Sequence, residues 1–143
     1  MSFPSRAGYE SLIYGLPQAY PDYVVASTLR LYSTSALTAR VVGTVYLSNG
    51  LQLRVTEFVD FMAGRILDYS YTIYQGENKI GWYDPQPHPE NPDLAETFPH
   101  HYHESPDIKH NRRPAPGLVF HSPNLSTLIA DCIRLGKTLR ATE

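Results

Sequence analysis

Cysteine is almost missing from this sequence: Cys132 is the only one among 143 residues. One cysteine can form neither an internal disulfide nor a zinc site built from several thiolates. Chains without disulfides are typical of reducing compartments, so we expect a cytoplasmic protein. Long apolar runs are missing as well, since no window approaches the ~18 residues that a membrane-spanning helix needs, and polar and apolar side chains alternate in residues 1–14. We therefore expect neither secretion nor a membrane partner.

The sequence also lacks an excess of positive charge. The chain has 12 Lys and Arg residues against 14 Asp and Glu residues, so its formal net charge is −2. This balance excludes a protein that coats nucleic acid through its overall charge, while a local basic patch can still hold phosphate groups. The remaining composition, 42% hydrophobic and 18% charged residues, is ordinary for a globular protein of this length. We predict a single domain over residues 1–143.

The pattern of apolar residues predicts two helices and about five strands. Residues 5–13 repeat apolar side chains three and four apart and stop before Gly15, which indicates a short N-terminal helix. A second helix is predicted to begin at Ser122-Pro123, a capping residue followed by proline at the first helical position, and should cover one face of the sheet. Segments rich in β-branched and aromatic residues predict strands at 23–32, 40–48, 51–61, 66–74 and 80–83. The predicted class is α+β: an antiparallel meander between the two helices, with a long Pro/His-rich loop and a frayed tail at 138–143.

A hairpin is predicted where Asn49-Gly50 separates two strand patterns, because both residues tolerate positive φ. A two-residue turn would place Val42 opposite Glu57 and Arg40 diagonal to Glu57 on the same face. Glu57 interrupts an apolar row, and a covered carboxylate needs a partner. We predict that Arg40 is this partner; the alternative is that Glu57 borders the histidines and orients an imidazole or serves as a base.

The Pro/His segment, defined as residues 85–121, contains all six histidines and eight of the 12 prolines. It is longer than an idle loop in a compact domain usually is, so we expect it to be functional and to fold across one face of the sheet. In extended backbone, residues two apart share a side. His101 and His103 should therefore be presented together, with His100 facing the other way.

General acid-base chemistry is the first function that these histidines suggest. Histidine titrates near neutral pH, and attack of a ribose 2′-hydroxyl on phosphate needs one base and one acid. The candidate catalytic residues are His101, His103, His100, His88 and Glu57, with His101 and His103 as base and acid and Glu57 orienting one of them. The candidate substrate-binding residues are Arg112, Arg113, Arg40, Asp84 and Tyr71. A tyrosine on a sheet can stack on an RNA base, although strand tyrosines more often pack in the core. These parts predict a metal-independent ribonuclease that needs no cofactor.

Two alternatives remain open for the same residues. His101, His103 and either His88 or Asp84 could bind zinc or another transition metal, which would make the protein a non-catalytic metal- or partner-binding module. Histidines in proline-rich loops also donate to carbonyls that proline leaves unpaired, and no chemistry follows from that.

Four motifs in order resemble a known family. They are Leu-Arg-Val-Thr-Glu at 53–57, Tyr-Ser-Tyr at 69–71, Tyr-Asp-Pro-Gln-Pro-His at 83–88 and Phe-Pro-His-His-Tyr-His at 98–103. Over residues 40–135 the chain is similar to the TumE-like toxin components of bacterial toxin-antitoxin pairs.

The resemblance implies a growth-inhibiting toxin that a cognate antitoxin protein neutralises and that acts through RNA cleavage. It favours the RNA interpretation of the histidines over the metal one. Edge strands of such a sheet can also pair between copies, so a homodimer is one expected assembly.

Overall fold

A computed structural model describes residues 3–85, 99–104, 112–115 and 117–141. Helix α1 spans Arg6–Tyr14, and the Ser5 side chain caps it by accepting the Gly8 N–H at 3.1 Å. A one-turn helix, α2 (Leu16–Ala19), follows with proline in its first turn. The predicted N-terminal helix is confirmed, while α2 was not predicted.

Within the described residues, eight strands form a single antiparallel sheet. They are β1 (Val24–Ser27), β2 (Arg30–Ser33), β3 (Thr38–Leu47), β4 (Leu51–Asp60), β5 (Arg65–Gln75), β6 (Asn78–Asp84), β7 (His101–Glu104) and β8 (Arg112–Pro114). Their order is β1-β3-β4-β5-β6-β7-β8, and β2 also pairs with β3. Helix α3 (Leu125–Ala141) ends the described chain. The α+β class with an N-terminal and a C-terminal helix is confirmed, but residues 138–141 are helical where a frayed tail was expected.

The strand count exceeds five partly because the predicted strand 23–32 is two strands. The extended segment is interrupted at Thr28 and Leu29, between β1 and β2. The side chain of Leu29 is buried in the core, with 1% exposure. Gly43 on β3 allows the backbone of Thr28 and Leu29 to approach closely. A Cβ at position 43 would lie 2.6 Å from the Thr28 carbonyl oxygen and 2.7 Å from Leu29 Cα. The other two additional strands, β7 and β8, come from the Pro/His segment, which was predicted to be a loop.

The β3–β4 hairpin is present, but its predicted register was wrong by one residue. Val41 pairs with Glu57 and Arg40 pairs with Phe58. The loop contains three residues, 48–50, and Gly50 takes a positive φ of 90°. A shift of one residue moves a side chain to the other face of a sheet. Arg40 is consequently exposed on the face away from Glu57, with its guanidinium 5.6 Å from the Phe58 ring centre.

The core lies between one face of the sheet and the helices. Alternate residues of β4 and β5 point into it, and α1 and α3 cover them, each with one apolar stripe. Its most buried members include Tyr9, Ile13, Leu53, Val55, Tyr71, Ile73, Leu128, Ile129 and Cys132. Burial raises the pKa of the Cys132 thiol to about 12, so the thiol stays protonated and unreactive. Within the described ranges no helix is long and apolar enough to cross a bilayer.

Candidate functional site

The Pro/His segment extends the sheet beyond β6. Strand β7 pairs antiparallel with β6, which sets Asp84 opposite His101 and Trp82 opposite His103. Cross-strand partners of an antiparallel pair share a face, and so do residues two apart on one strand. This pairing brings Asp84, His101 and His103 together, and it confirms that the two histidines are presented jointly.

The side chains of these three residues form a compact group, which we call the Asp84–His101–His103 cluster. The Nε2 atoms of His101 and His103 are 2.9 Å apart. Asp84 Oδ1 lies 3.0 Å from His101 Nε2, and Asp84 Oδ2 lies 3.2 Å from His103 Nε2. All three residues are buried, with exposures of 6%, 1% and 3% for Asp84, His101 and His103. Two imidazole nitrogens and a carboxylate therefore converge on one point that water barely reaches.

Neighbouring groups hold the two imidazole rings in place. His101 Nδ1 is 3.2 Å from the carbonyl oxygen of Pro99. The His103 ring stacks on the Trp82 indole at 4.6 Å between centres, and the indole N–H donates to Ser70 Oγ at 2.8 Å. His103 Nδ1 has no hydrogen-bond partner among the residues that the structure describes. The rings are thus oriented by strands and an aromatic neighbour rather than by a loose loop.

His100 immediately precedes β7 and lies apart from the cluster. Its Nδ1 is 2.5 Å from the Tyr69 hydroxyl oxygen, and its ring stacks on the Tyr69 ring and packs against Phe120. Burial lowers the pKa of the His100 imidazole, and the charge of neighbouring His101 lowers it further. The expectation that His100 faces away from His101 is met, so His100 is not placed to act with the cluster.

Glu57 belongs to the core and contacts neither Arg40 nor a described histidine. It is fully buried, and its carboxylate accepts the hydroxyls of Tyr9, at 2.5 Å, and of Tyr71. Burial raises the pKa of the Glu57 carboxyl, while the hydrogen bonds from Tyr71 and Tyr9 partly offset the rise. The packing of α1 on β4 and β5 seals Glu57 and Tyr71 away from solvent, so Glu57 does not lie beside a described histidine and Tyr71 packs in the core, as strand tyrosines more often do.

A cleft of about 580 Å³ adjoins the cluster. Residues that line it include Tyr69, Ser70, Trp82, Asp84, Pro99 and Phe120. Asp84 belongs to both the cleft and the cluster, so it connects the converging atoms to a space that a small group could enter. Trp82 likewise lines the cleft and supports His103.

Comparison with protein families decides the identity of the chain at the family level. The family model described as toxin TumE matches residues 16–135. The chain belongs to the toxin TumE family. The resemblance carried by the four motifs is thus confirmed, and the match reaches from α2 into α3, beyond the range 40–135 over which the motifs suggested it. Comparisons with curated proteins and with solved structures found no match.

Membership in the TumE family makes this chain a toxin and implies, in general terms, an antitoxin as its partner. The matched range contains the whole Asp84–His101–His103 cluster and the strands that carry it. The cluster therefore belongs to the part of this TumE-family toxin that the family shares as a domain.

The remaining predicted residues of the TumE-family toxin fall in three places. The backbone register sets Arg112 opposite His103 and Arg113 opposite Tyr102. Arg40 is on β3, four strands from β7 in the sheet order. His88 lies outside the described residues.

Trp82 and Ser70 were missed by sequence reasoning. The signal that could have found Trp82 is the alternation of side chains on a strand, because Trp82 shares a face with Asp84 in Gly81-Trp82-Tyr83-Asp84. Ser70 then follows as the acceptor of the Trp82 indole N–H. Using that signal requires knowing that β7 pairs with β6.

Proposed function

We propose that this TumE-family toxin cleaves RNA and that the Asp84–His101–His103 cluster is its reaction centre. The observation that carries the proposal is the convergence of three side chains, whose donor atoms lie within 4.8 Å of one another beside a cleft. Clusters of titratable groups in a cleft are typical of catalytic sites. A member of a toxin family is also expected to have an activity that harms the cell. Asp84 takes the place that sequence reasoning assigned to Glu57, as the carboxylate that contacts both imidazoles.

The reaction that we infer is attack of a ribose 2′-oxygen on the adjacent phosphorus. The O2′–P bond forms and the P–O5′ bond breaks, leaving a 2′,3′-cyclic phosphate and a 5′-hydroxyl end. The 2′-hydroxyl gives its proton to a base, and O5′ takes up a proton, so no oxidant, reductant or other co-reactant is needed. Positioning of the phosphate and stabilisation of its charge supply most of the rate in such transfers.

Residues around the cluster offer contacts for RNA. The cleft has the partly exposed rings of Trp82 and Phe120 in its lining, and aromatic surfaces stack on bases without strong sequence preference. Arg112 is the register partner of His103, at a Cα distance of about 5 Å for such pairs. An arginine at this position supports the predicted phosphate contact.

The separation of the two histidines bears on the division of roles into base and acid. In-line transfer places the attacking and leaving oxygens on opposite sides of phosphorus. A base and an acid that flank a phosphate therefore stand apart, whereas the two Nε2 atoms are 2.9 Å apart. The geometry favours a cluster that acts from one side of the phosphate as a unit.

Cleavage of RNA by purified protein tests this proposal. We expect the wild type to cut single-stranded RNA and a His101→Ala, His103→Ala variant to cut at least ~100-fold more slowly, the usual minimum for losing such groups. His121→Ala is the matched control, because His121 is exposed and outside the cluster, and it should cut at the wild-type rate.

An RNA with a single 2′-deoxyribose at the cut position should resist cleavage, because the attacking oxygen is missing. The same three proteins expressed in bacteria should arrest growth in the order that their cleavage rates predict. Equal cleavage or equal growth arrest by the wild type and the double variant would remove the cluster as the reaction centre.

A further inference from the structure

The Asp84–His101–His103 cluster has the composition of a metal site. Two imidazole nitrogens and one carboxylate come from two neighbouring strands and converge on one point. We propose that the cluster binds one divalent transition-metal ion of the zinc class through His101 Nε2, His103 Nε2 and the Asp84 carboxylate. A catalytic role for this ion rests on the proposed RNA cleavage, but metal binding itself can be measured without RNA.

The spacing of the three donor groups fits a single ion. Zinc binds imidazole nitrogen at about 2.0–2.1 Å and carboxylate oxygen at about 2.0–2.2 Å, so tetrahedral ligands stand about 3.3 Å from one another. The observed separations are 2.9 Å between the two nitrogens and 3.0 and 3.2 Å from the carboxylate oxygens to them. An outward movement of a few tenths of an ångström would therefore complete the ligand set.

The hydrogen bond of His101 Nδ1 also suits a metal ligand. A carbonyl oxygen can only accept, so the Pro99 carbonyl at 3.2 Å is placed to accept an Nδ1–H. The other ring nitrogen, Nε2, faces the point on which His103 Nε2 and the Asp84 carboxylate also converge. An Nδ1–H bonded to a carbonyl is also the usual support of a histidine that binds metal through Nε2.

The scaffold around the cluster suits a preformed site. Both histidines lie on one short strand, Asp84 is directly opposite on the next strand, and the Trp82 ring holds His103 by stacking. Ligands on paired strands are positioned more accurately than ligands on loops. The binding energy therefore does not have to order the three side chains first.

The donor set selects the class of ion. Imidazole ligands suit zinc, iron, nickel and copper, whereas magnesium and calcium prefer oxygen ligands alone. Three protein ligands leave a position for water or a phosphate oxygen, as in catalytic zinc sites. An ion there would lower the pKa of a bound water and polarise a phosphate oxygen, which are the tasks that RNA cleavage requires.

Zinc binding to the purified full chain is the deciding measurement. Protein stripped with a chelator and dialysed against zinc chloride should hold about one ion per chain by elemental analysis, as a single site requires. His103→Ala and Asp84→Asn should each weaken zinc binding by ~100-fold or more, since even partners that only orient a ligand are worth ~10-fold to 100-fold. His121→Ala should bind zinc as the wild type does.

Circular dichroism of each metal-free variant shows whether it is folded. Titration with cobalt(II) adds a readout that folding alone does not move, because its visible bands report the ligand set and should change in Asp84→Asn. A folded wild type without stoichiometric zinc, or equal zinc binding by wild type and His103→Ala, would overturn the metal site.

The outcomes for metal and for RNA are separable. Stoichiometric zinc lost in the variants, together with no RNA cleavage, would keep the metal site and remove the proposed ribonuclease. RNA cleavage by protein that holds no metal, unchanged by a chelator and lost in His101→Ala, His103→Ala, would keep the ribonuclease and overturn the metal site.

Discussion

Glu57 shows how much a single residue depends on its surroundings. Its carboxyl group is completely buried on β4, where two tyrosine hydroxyls donate to it, from Tyr9 on α1 and from Tyr71 on β5. Asn124, just before α3, donates to the Tyr71 oxygen at 3.2 Å. Three parts of the fold thus meet at this carboxyl group, so its role is to join helices to the sheet.

The stability of the protein should depend on pH through Glu57. Burial raises the pKa of this carboxyl above its unfolded value of about 4.3, so the folded state prefers the protonated form. The stabilising contribution is complete below pH ~4.3 and is lost as the pH rises toward the pKa of the folded state. Glu57→Gln does not titrate, so its stability relative to wild type should increase with pH above ~4.3, by at most ~1.4 kcal/mol per unit.

Urea unfolding of both proteins between pH 4 and 8 measures this trend. Glu77→Gln removes an exposed carboxylate in the β5–β6 turn and serves as the control for net charge. A difference between Glu57→Gln and wild type that stays constant over this range would contradict the assignment.

The β3–β4 hairpin shows how elements constrain each other. The loop residue Asn49 donates its side-chain N–H to the Cys132 carbonyl on α3 at 3.2 Å and accepts from the Leu51 N–H at 3.0 Å. Gly136 on the same helix makes room for it, since a Cβ there would lie 2.2 Å from Asn49 Nδ2. The turn residue and the helix glycine therefore fit as a pair.

This pairing should reverse the usual effect of a helix glycine. In an isolated helix, Gly→Ala stabilises by about 1 kcal/mol. Here Gly136→Ala should destabilise the protein by about 1 kcal/mol, because Asn49 must move and lose its bond to Cys132. In an Asn49→Ala background, the same substitution should be neutral or stabilising.

The four stabilities form a double-mutant cycle, measured by urea unfolding. A coupling energy of at least ~1 kcal/mol is expected, as is usual for residues in contact. Additive effects would show that the helix glycine and the turn are independent.

At the scale of the whole molecule, the proposed metal ion should link the Pro/His segment to global stability. Asp84 ends β6 and the two histidines lie on β7, so an ion would tie these strands together. A ligand that binds only the folded state at 100 times its Kd stabilises by about 2.7 kcal/mol. For a chain of this size we expect zinc to raise the Tm by about 8 °C.

Thermal unfolding with zinc and with a chelator measures this shift. Asp84→Asn should lose most of the shift, while His121→Ala should retain it. A Tm that zinc leaves unchanged in the wild type would contradict a tight site at the cluster.

Local sequence determined most of the longer elements of this protein and the relative sides of His100, His101 and His103. The apolar spacing in residues 5–13, the β-branched segments and the Asn-Gly turn predicted the first helix, four of the strands and the hairpin, because propensity and turn chemistry act between neighbours in the chain. The alternation of His100 against His101 and His103 follows from the pleat of any strand. The four motifs were enough to indicate the TumE family.

Only the tertiary structure decided which side chains meet. Asp84 reaches His103 although they are 19 residues apart, and Tyr9 reaches Glu57 across 48 residues. These contacts depend on which strands pair and in which register, and a register shift of one residue exchanges the two faces of a strand. Sequence therefore identified His101 and His103 as candidates and offered Asp84 as one possible third member, but the pairing of β6 with β7 decided that Asp84 contacts them and left Glu57 to the core.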